Sequence, residues 1–153
     1  MTDDPLPNTP PHKVLLHVGF GDHQVADITT EVQARTIGAG VHRPLLGPGR
    51  ERFRDRPYPD GPSNPFSGVR SLIDGDDGSG VIFWDIGPPR AEKKGTPAPY
   101  AANIPPREGQ DPHESPRRTA RARVQKSAFL RPGGKIIDVC GGPCFADDYT
   151  GTP

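Results

Sequence analysis

The sequence predicts an α/β protein organised around buried parallel strands, and three observations lead to that class. Two short apolar runs, residues 13–18 (K-V-L-L-H-V) and 81–86 (V-I-F-W-D-I), are each closed by glycine, as in strands covered on both faces. The first run leads through a glycine turn into a helical stretch, which makes a βα unit. A second helical stretch, 112–130, follows the second run.

Each element has a local reason. The run 13–18 ends at Gly19-Phe20-Gly21-Asp22, a turn-forming stretch. Asp27 offers an N-cap, and residues 28–37 follow as a helix with Ile28, Val32 and Ala34–Arg35 as its apolar stripe. Gly38 and Gly40 supply its stop. Residues 43–79 are dominated by Pro, Gly, Asp and Arg and read as an irregular insertion, with Phe53, Tyr58 and Phe66 as candidate anchors. After the strand at 81–86 and a second irregular stretch at 90–111, Ser115-Pro116 is a cap and first-turn pair for the helix 112–130. Its expected apolar face is Ala120, Val124, Phe129 and Leu130. Arg131-Pro132-Gly133-Gly134 breaks it, and 135–139 reads as a last short strand or extended tail.

The expected organisation is a flexible segment at 1–12, a partial α/β domain over 13–139, and an irregular tail at 140–153. Composition agrees with long loops around a small core. The chain holds 21 Pro and 19 Gly among 153 residues, and only 31% of residues are hydrophobic. Leu, Ile, Val and Phe make up roughly a fifth, close to where burial stops offsetting chain entropy. The balance of 19 basic and 19 acidic residues argues against nucleic acid as a partner. Arg117, Arg118, Arg121 and Arg123 read as a solvated helix face. No apolar run reaches the roughly 20 residues needed to span a bilayer. The acidic, proline-rich start has no signal-peptide character. A complete chain would be expected in the cytoplasm, and a piece of an exported parent outside it.

Two buried parallel strands alone leave bare edges. Partner strands are therefore expected from an upstream part of the same fold or from another subunit.

The stretch Val14–Val25 (V-L-L-H-V-G-F-G-D-H-Q-V) resembles the penultimate strand and acid-bearing turn of the α/β-hydrolases, with Gly19, Asp22 and Val25 on the matching positions. The run 81–86 is similar to that family's final strand. His113, in Gly-Gln-Asp-Pro-His-Glu ahead of the last helix, matches the position of its catalytic histidine. The resemblance covers roughly 13–39 and 80–130. It implies an incomplete, C-terminal part of a serine hydrolase of the esterase or lipase kind, with Asp22 as triad acid, His113 as base and a small acyl substrate. It calls for no cofactor. A serine hydroxyl needs an imidazole to take its proton and a carboxylate to orient that imidazole. The family's Gly-x-Ser-x-Gly elbow is absent, and Ser79 in Asp-Gly-Ser-Gly precedes a strand rather than following one. Such a segment is expected to be inactive alone.

Other readings stay open. Asp22 alone could be a turn residue that caps the next helix, and His113 a surface-loop histidine. His23 beside Asp22 invites a metal reading but lacks a second ligand at fixed spacing. His17 fits a packed core position, as does Trp84. Cys140 could be a thiol nucleophile but has no paired base in the sequence. Cys140 and Cys144, in Cys-Gly-Gly-Pro-Cys, are a possible disulfide or two reduced thiols, and are too few for a structural zinc site unless histidines join them. The alternatives to the enzyme are a non-catalytic binding or structural domain related to the same fold, and a truncated reading-frame product.

Overall fold

A computed structural model of the chain describes residues 2, 4–22, 24–48, 50, 64–87 and 112–146. The expectations for His23, Phe53, Tyr58 and the stretch 90–111 fall outside these residues. The elements are β1 (Leu15–Gly19), α1 (Asp27–Thr36), β2 (Gly40–Val41), β3 (Gly80–Asp85), a single 3-10 turn (Pro112–Glu114), α2 (Ser115–Arg118), α3 (Ala120–Leu130) and β4 (Cys144–Phe145). The fold is α/β, with a small open sheet in which every pairing between strands is parallel.

β3 is the organising strand. β1 lies along one of its edges for its whole length, from Leu15 opposite Gly80 to Gly19 opposite Trp84. The other edge is shared end to end by β2, opposite Gly80 and Val81, and β4, opposite Trp84 and Asp85. The hydrogen bonds alternate as a parallel ladder requires. The carbonyls of Ser79, Val81 and Asp85 accept from Gly40, His42 and Ala146 on one side, and that of Trp84 accepts from Phe20 on the other.

All six residues of β3 are buried. Because successive side chains point to opposite faces, β3 feeds two cores. Val81 and Phe83 join Val18, Phe20, Ala34, Val41 and Phe66 under α1, with Phe66 meeting Phe83 edge to face at 5.9 Å. Ile82 and Trp84 join Ala122, Ile136, Cys144 and Ala146 under α3. The continuous apolar run in the sequence thus reflects helices and loops on both sides of one strand. Each fully buried side chain of this kind stabilises the fold by about 1.5–3 kcal/mol.

Several expectations need correction. Asp27 does not cap α1: it is the first residue inside that helix, Ala26 takes the cap position, and Asp27 is buried. The face that α1 buries is Asp27, Glu31 and Ala34, while Val32 is 60% exposed. Val25, which the resemblance puts on a matching position, is 44% exposed. The helix expected over 112–130 is broken at Thr119, whose backbone is extended (φ −64°, ψ 125°). The Thr119 amide and hydroxyl both donate to the Ser115 carbonyl, closing one helix before the next begins. The break resets the phase of α3. It buries Ala122, Gln125 and Ala128, and leaves Val124 and Leu130 in solvent. Arg117, Arg118, Arg121 and Arg123 are exposed.

The C-terminal expectations also shift. Of 135–139, only Ile136 pairs, in an isolated antiparallel bridge to Asp76, whereas the tail expected to be irregular supplies β4. The insertion is not wholly loop either, since Ser71 bridges Val41 and Phe66 enters the core. The sheet therefore has four strands among the described residues, rather than two. Among the described residues no strand pairs with the outer edge of β1. Among them, too, no helix is long and apolar enough to cross a membrane.

His17 fixes β1 against α3. Its ring lies 5.5 Å from that of Trp84, and its Nε2–H donates to Gln125 Oε1 at 2.7 Å. The Gln125 amide nitrogen donates to the Ile137 carbonyl at 2.7 Å, which leaves its oxygen for the imidazole. Burial pushes the His17 imidazole down to about 4, against the pull of the Gln125 hydrogen bond and with help from Lys126. In the unfolded chain the ring titrates near its ordinary 6.5. Between these values the unfolded state binds more protons, so stability present above pH 6.5 is lost as pH falls towards 4, by on the order of 2–3 kcal/mol. Urea midpoints across this range should fall accordingly, and His17→Gln should flatten the slope. An unchanged slope in the variant would contradict the assignment.

Candidate functional site: a carboxylate and an imidazole at the end of β1

The end of β1 is built for a sharp exit. Gly21 takes a positive φ of 85°, open to glycine at little cost, and the Asp22 amide donates back to the Gly19 carbonyl at 3.1 Å. This places Asp22 just past the C-terminal end of the strand with 7% of its surface exposed. Its two carboxylate oxygens have separate tasks. Oδ1 accepts the amides of Gln24 and Val25, at 2.7 and 2.9 Å, and so fixes the turn into α1. Oδ2 accepts a hydrogen bond from His113 Nδ1 at 2.7 Å.

His113 arrives from 91 positions further along the chain, in the 3-10 turn that opens α2. Its approach depends on Gly19. A Cβ at that position would stand 2.7 Å from the Pro112 carbonyl oxygen, a backbone atom that cannot swing aside. The absence of a side chain at the last residue of β1 is what lets the turn seat its histidine over Asp22. The carboxylate accepts and cannot donate, so Nδ1 carries the proton. The second ring nitrogen, Nε2, lies 3.9 Å from Glu114 Oε1, and Glu114 is itself paired with Arg117. The His113 side chain keeps 22% of its surface exposed, so the imidazole is partly open while the acid behind it is covered.

The other residues singled out from the sequence lie elsewhere. Ser79 is at the opposite end of β3, where its hydroxyl accepts from the Val14 amide at 3.0 Å. At about 3.3 Å per residue, the strand separates it from the carboxylate end by roughly 15–20 Å. Cys140 is joined to Cys144 with Cα atoms 5.2 Å apart, beside β3 on the edge away from β1. His17 and Trp84 pack together beneath α3.

One acid near the strand ends escaped sequence reasoning. Asp85, last in β3 and 1% exposed, is gripped by Arg50 through two hydrogen bonds of 2.6 and 2.7 Å and accepts the Gly87 amide at 2.9 Å. The Arg50 guanidinium also lies 5.6 Å from the centre of the Phe20 ring. This ion pair ties the insertion to the end of β3 and commits Asp85 to structure. Arg50 follows Gly47-Pro48-Gly49 and opens a charged run with Arg52, Arg54 and Arg56, and no spacing in the sequence links it to Asp85.

The chemistry available is that of a carboxylate–imidazole pair with the imidazole tautomer fixed by the acid. Gly19→Ala should destabilise the fold by about 1–3 kcal/mol through overpacking. It should also remove the downfield, hydrogen-bonded Nδ1–H resonance of His113 from the NMR spectrum. A variant that keeps both stability and that resonance would contradict the role given to Gly19. No protein-family model, curated protein or solved structure matches the chain, so the functional reading rests on this geometry.

Proposed function

We propose that Asp22 and His113 are the acid and base of a serine-hydrolase-type centre acting on an ester or amide. In this reading the nucleophile is carried by strands from an upstream part of the same fold or from another subunit. The observation that carries it is the 2.7 Å contact between Asp22 Oδ2 and His113 Nδ1 at the C-terminal end of a parallel strand. Open parallel sheets put their sites at that end. The absence of a strand partner on the outer edge of β1, among the described residues, supports the second half of the reading.

In such a centre Asp22 holds Nδ1–H and leaves a lone pair on Nε2. That nitrogen takes the proton from a serine hydroxyl as its oxygen attacks the acyl carbon, then returns it to the departing alcohol or amine. Asp22 stabilises the imidazolium formed between the two transfers. The chain alone, without a Gly-x-Ser-x-Gly elbow, is expected to lack this activity.

One observation favours a second reading, a non-catalytic domain of the same architecture. Asp22 Oδ1 already has a structural task in the turn, and the His113 contact would extend it by tying residues 112–114 to the sheet. The two readings separate when the chain is expressed in frame with its upstream coding region and assayed on p-nitrophenyl esters. The enzymatic reading expects turnover that falls by about 10⁴-fold or more in His113→Ala. Turnover that survives this substitution, or an upstream region without a nucleophile elbow and without turnover, leaves the structural reading.

A further inference from the structure

β2 and β4 share one edge of β3, and the residues at their junction form a group of metal-ligating atoms on the opposite edge from β1, the strand that leads to Asp22. His42 follows β2 directly, and its amide continues the ladder to the Val81 carbonyl. Cys144 opens β4 opposite Trp84, and Cys140 is joined to it. A ring nitrogen of His42 and the two sulfur atoms all lie within 4.8 Å of one another. The ring is already aimed at the Cys-Gly-Gly-Pro-Cys loop, because its Nε2–H donates to the Gly142 carbonyl at 2.7 Å. The loop is held in place independently by Asp138, whose Oδ1 accepts the amides of Cys140 and Gly141 at 2.8 and 3.0 Å.

We propose that the reduced form of this cluster is a zinc site, with the thiolates of Cys140 and Cys144 and the imidazole of His42 as its protein ligands. Two soft thiolates with an imidazole suit zinc better than a hard cation. The Cys-x₃-Cys spacing falls in the range that zinc sites use. Three protein ligands leave a fourth tetrahedral position for water or a solute, and Cys140 is only half-buried beside an exposed Gly141. His42 and Cys144, by contrast, are buried, with 8% and 1% of their surface exposed. The metal would join two strands that meet on β3 but stand about a hundred residues apart in sequence, so its binding energy would act on the fold.

The exchange balances simply. A dithiol reductant gives two electrons and two protons, becomes a disulfide itself, and converts the Cys140–Cys144 bond to two thiols. Zinc then displaces one proton from each thiol as two Zn–S bonds form, and His42 contributes a lone pair without losing a proton. Disulfide and zinc are mutually exclusive occupants of one loop.

The test uses the full chain, oxidised or reduced, with cobalt(II) as a spectroscopic substitute and zinc measured by competition with a chromogenic chelator. The reduced chain should bind one cobalt with thiolate charge-transfer and tetrahedral d–d absorption, both removed by zinc, and the oxidised chain should bind none. His42→Ala should keep thiolate absorption but lose more than about tenfold in zinc affinity, at least the effect of removing a group that merely supports a ligand. His42→Cys should restore tight binding with a third thiolate, which separates a ligand role from a folding role. Hydrogen exchange at β3 is followed throughout. Protection lost on reduction and regained with zinc supports the proposal. Unchanged affinity in His42→Ala, equal binding by the oxidised chain, or a reduced chain without the cobalt spectrum would each overturn it.

Discussion

The structure depends on the burial of β3 between strands on both of its edges and cores on both of its faces. Hydrogen bonds leave it on both edges, to β1 on one side and to β2 and β4 on the other. Its side chains enter the clusters beneath α1 and α3 alternately. A strand so enclosed has no freedom to slip, because a shift of one residue would exchange the two faces. Register at β3 therefore fixes where β1 ends, and with it the position of Asp22. It also fixes where β2 stops and β4 starts, which sets His42 against the cysteine loop.

Close approach at two glycines completes this arrangement. A Cβ on Gly19 would meet the Pro112 backbone, and a Cβ on Gly80 would meet Ile136 and Leu72 at 2.6 and 2.8 Å. The two positions bracket the β1–β3 pair, one at the end that holds the carboxylate and imidazole, the other where β3 begins. Asp22 serves the turn and the histidine through different oxygens, so the structural and chemical interpretations of this residue are compatible.

How much was legible in the sequence follows from which forces were local. The βα unit and the buried character of 81–86 were readable because continuous apolar runs closed by glycine carry their own signal. Short motifs mark Asp22 and His113, and the parallel pairing of β1 with β3 is consistent with their meeting. The buried faces of α1 and α3 were misread because burial selected Asp27, Glu31 and Gln125 over Val32 and Val124, against simple hydrophobic periodicity. The break at Thr119 arises from its own hydrogen bonds to Ser115, and nothing at that position resembles a proline or glycine stop. β2 and β4 escaped notice because a two-residue strand has no period to detect. The pairs Arg50–Asp85 and His42–Cys144 are likewise products of chain return over long separations.

The fold brings the Asp22 carboxylate and the His113 imidazole into direct contact. A double-mutant cycle on urea stability, with Asp22→Asn, His113→Gln and the double variant, measures that contact without requiring any activity. The coupling should be about 1 kcal/mol or more, as for a hydrogen bond to a charged group. Additivity of the two substitutions to within about 0.3 kcal/mol, the behaviour of residues that do not touch, would contradict it.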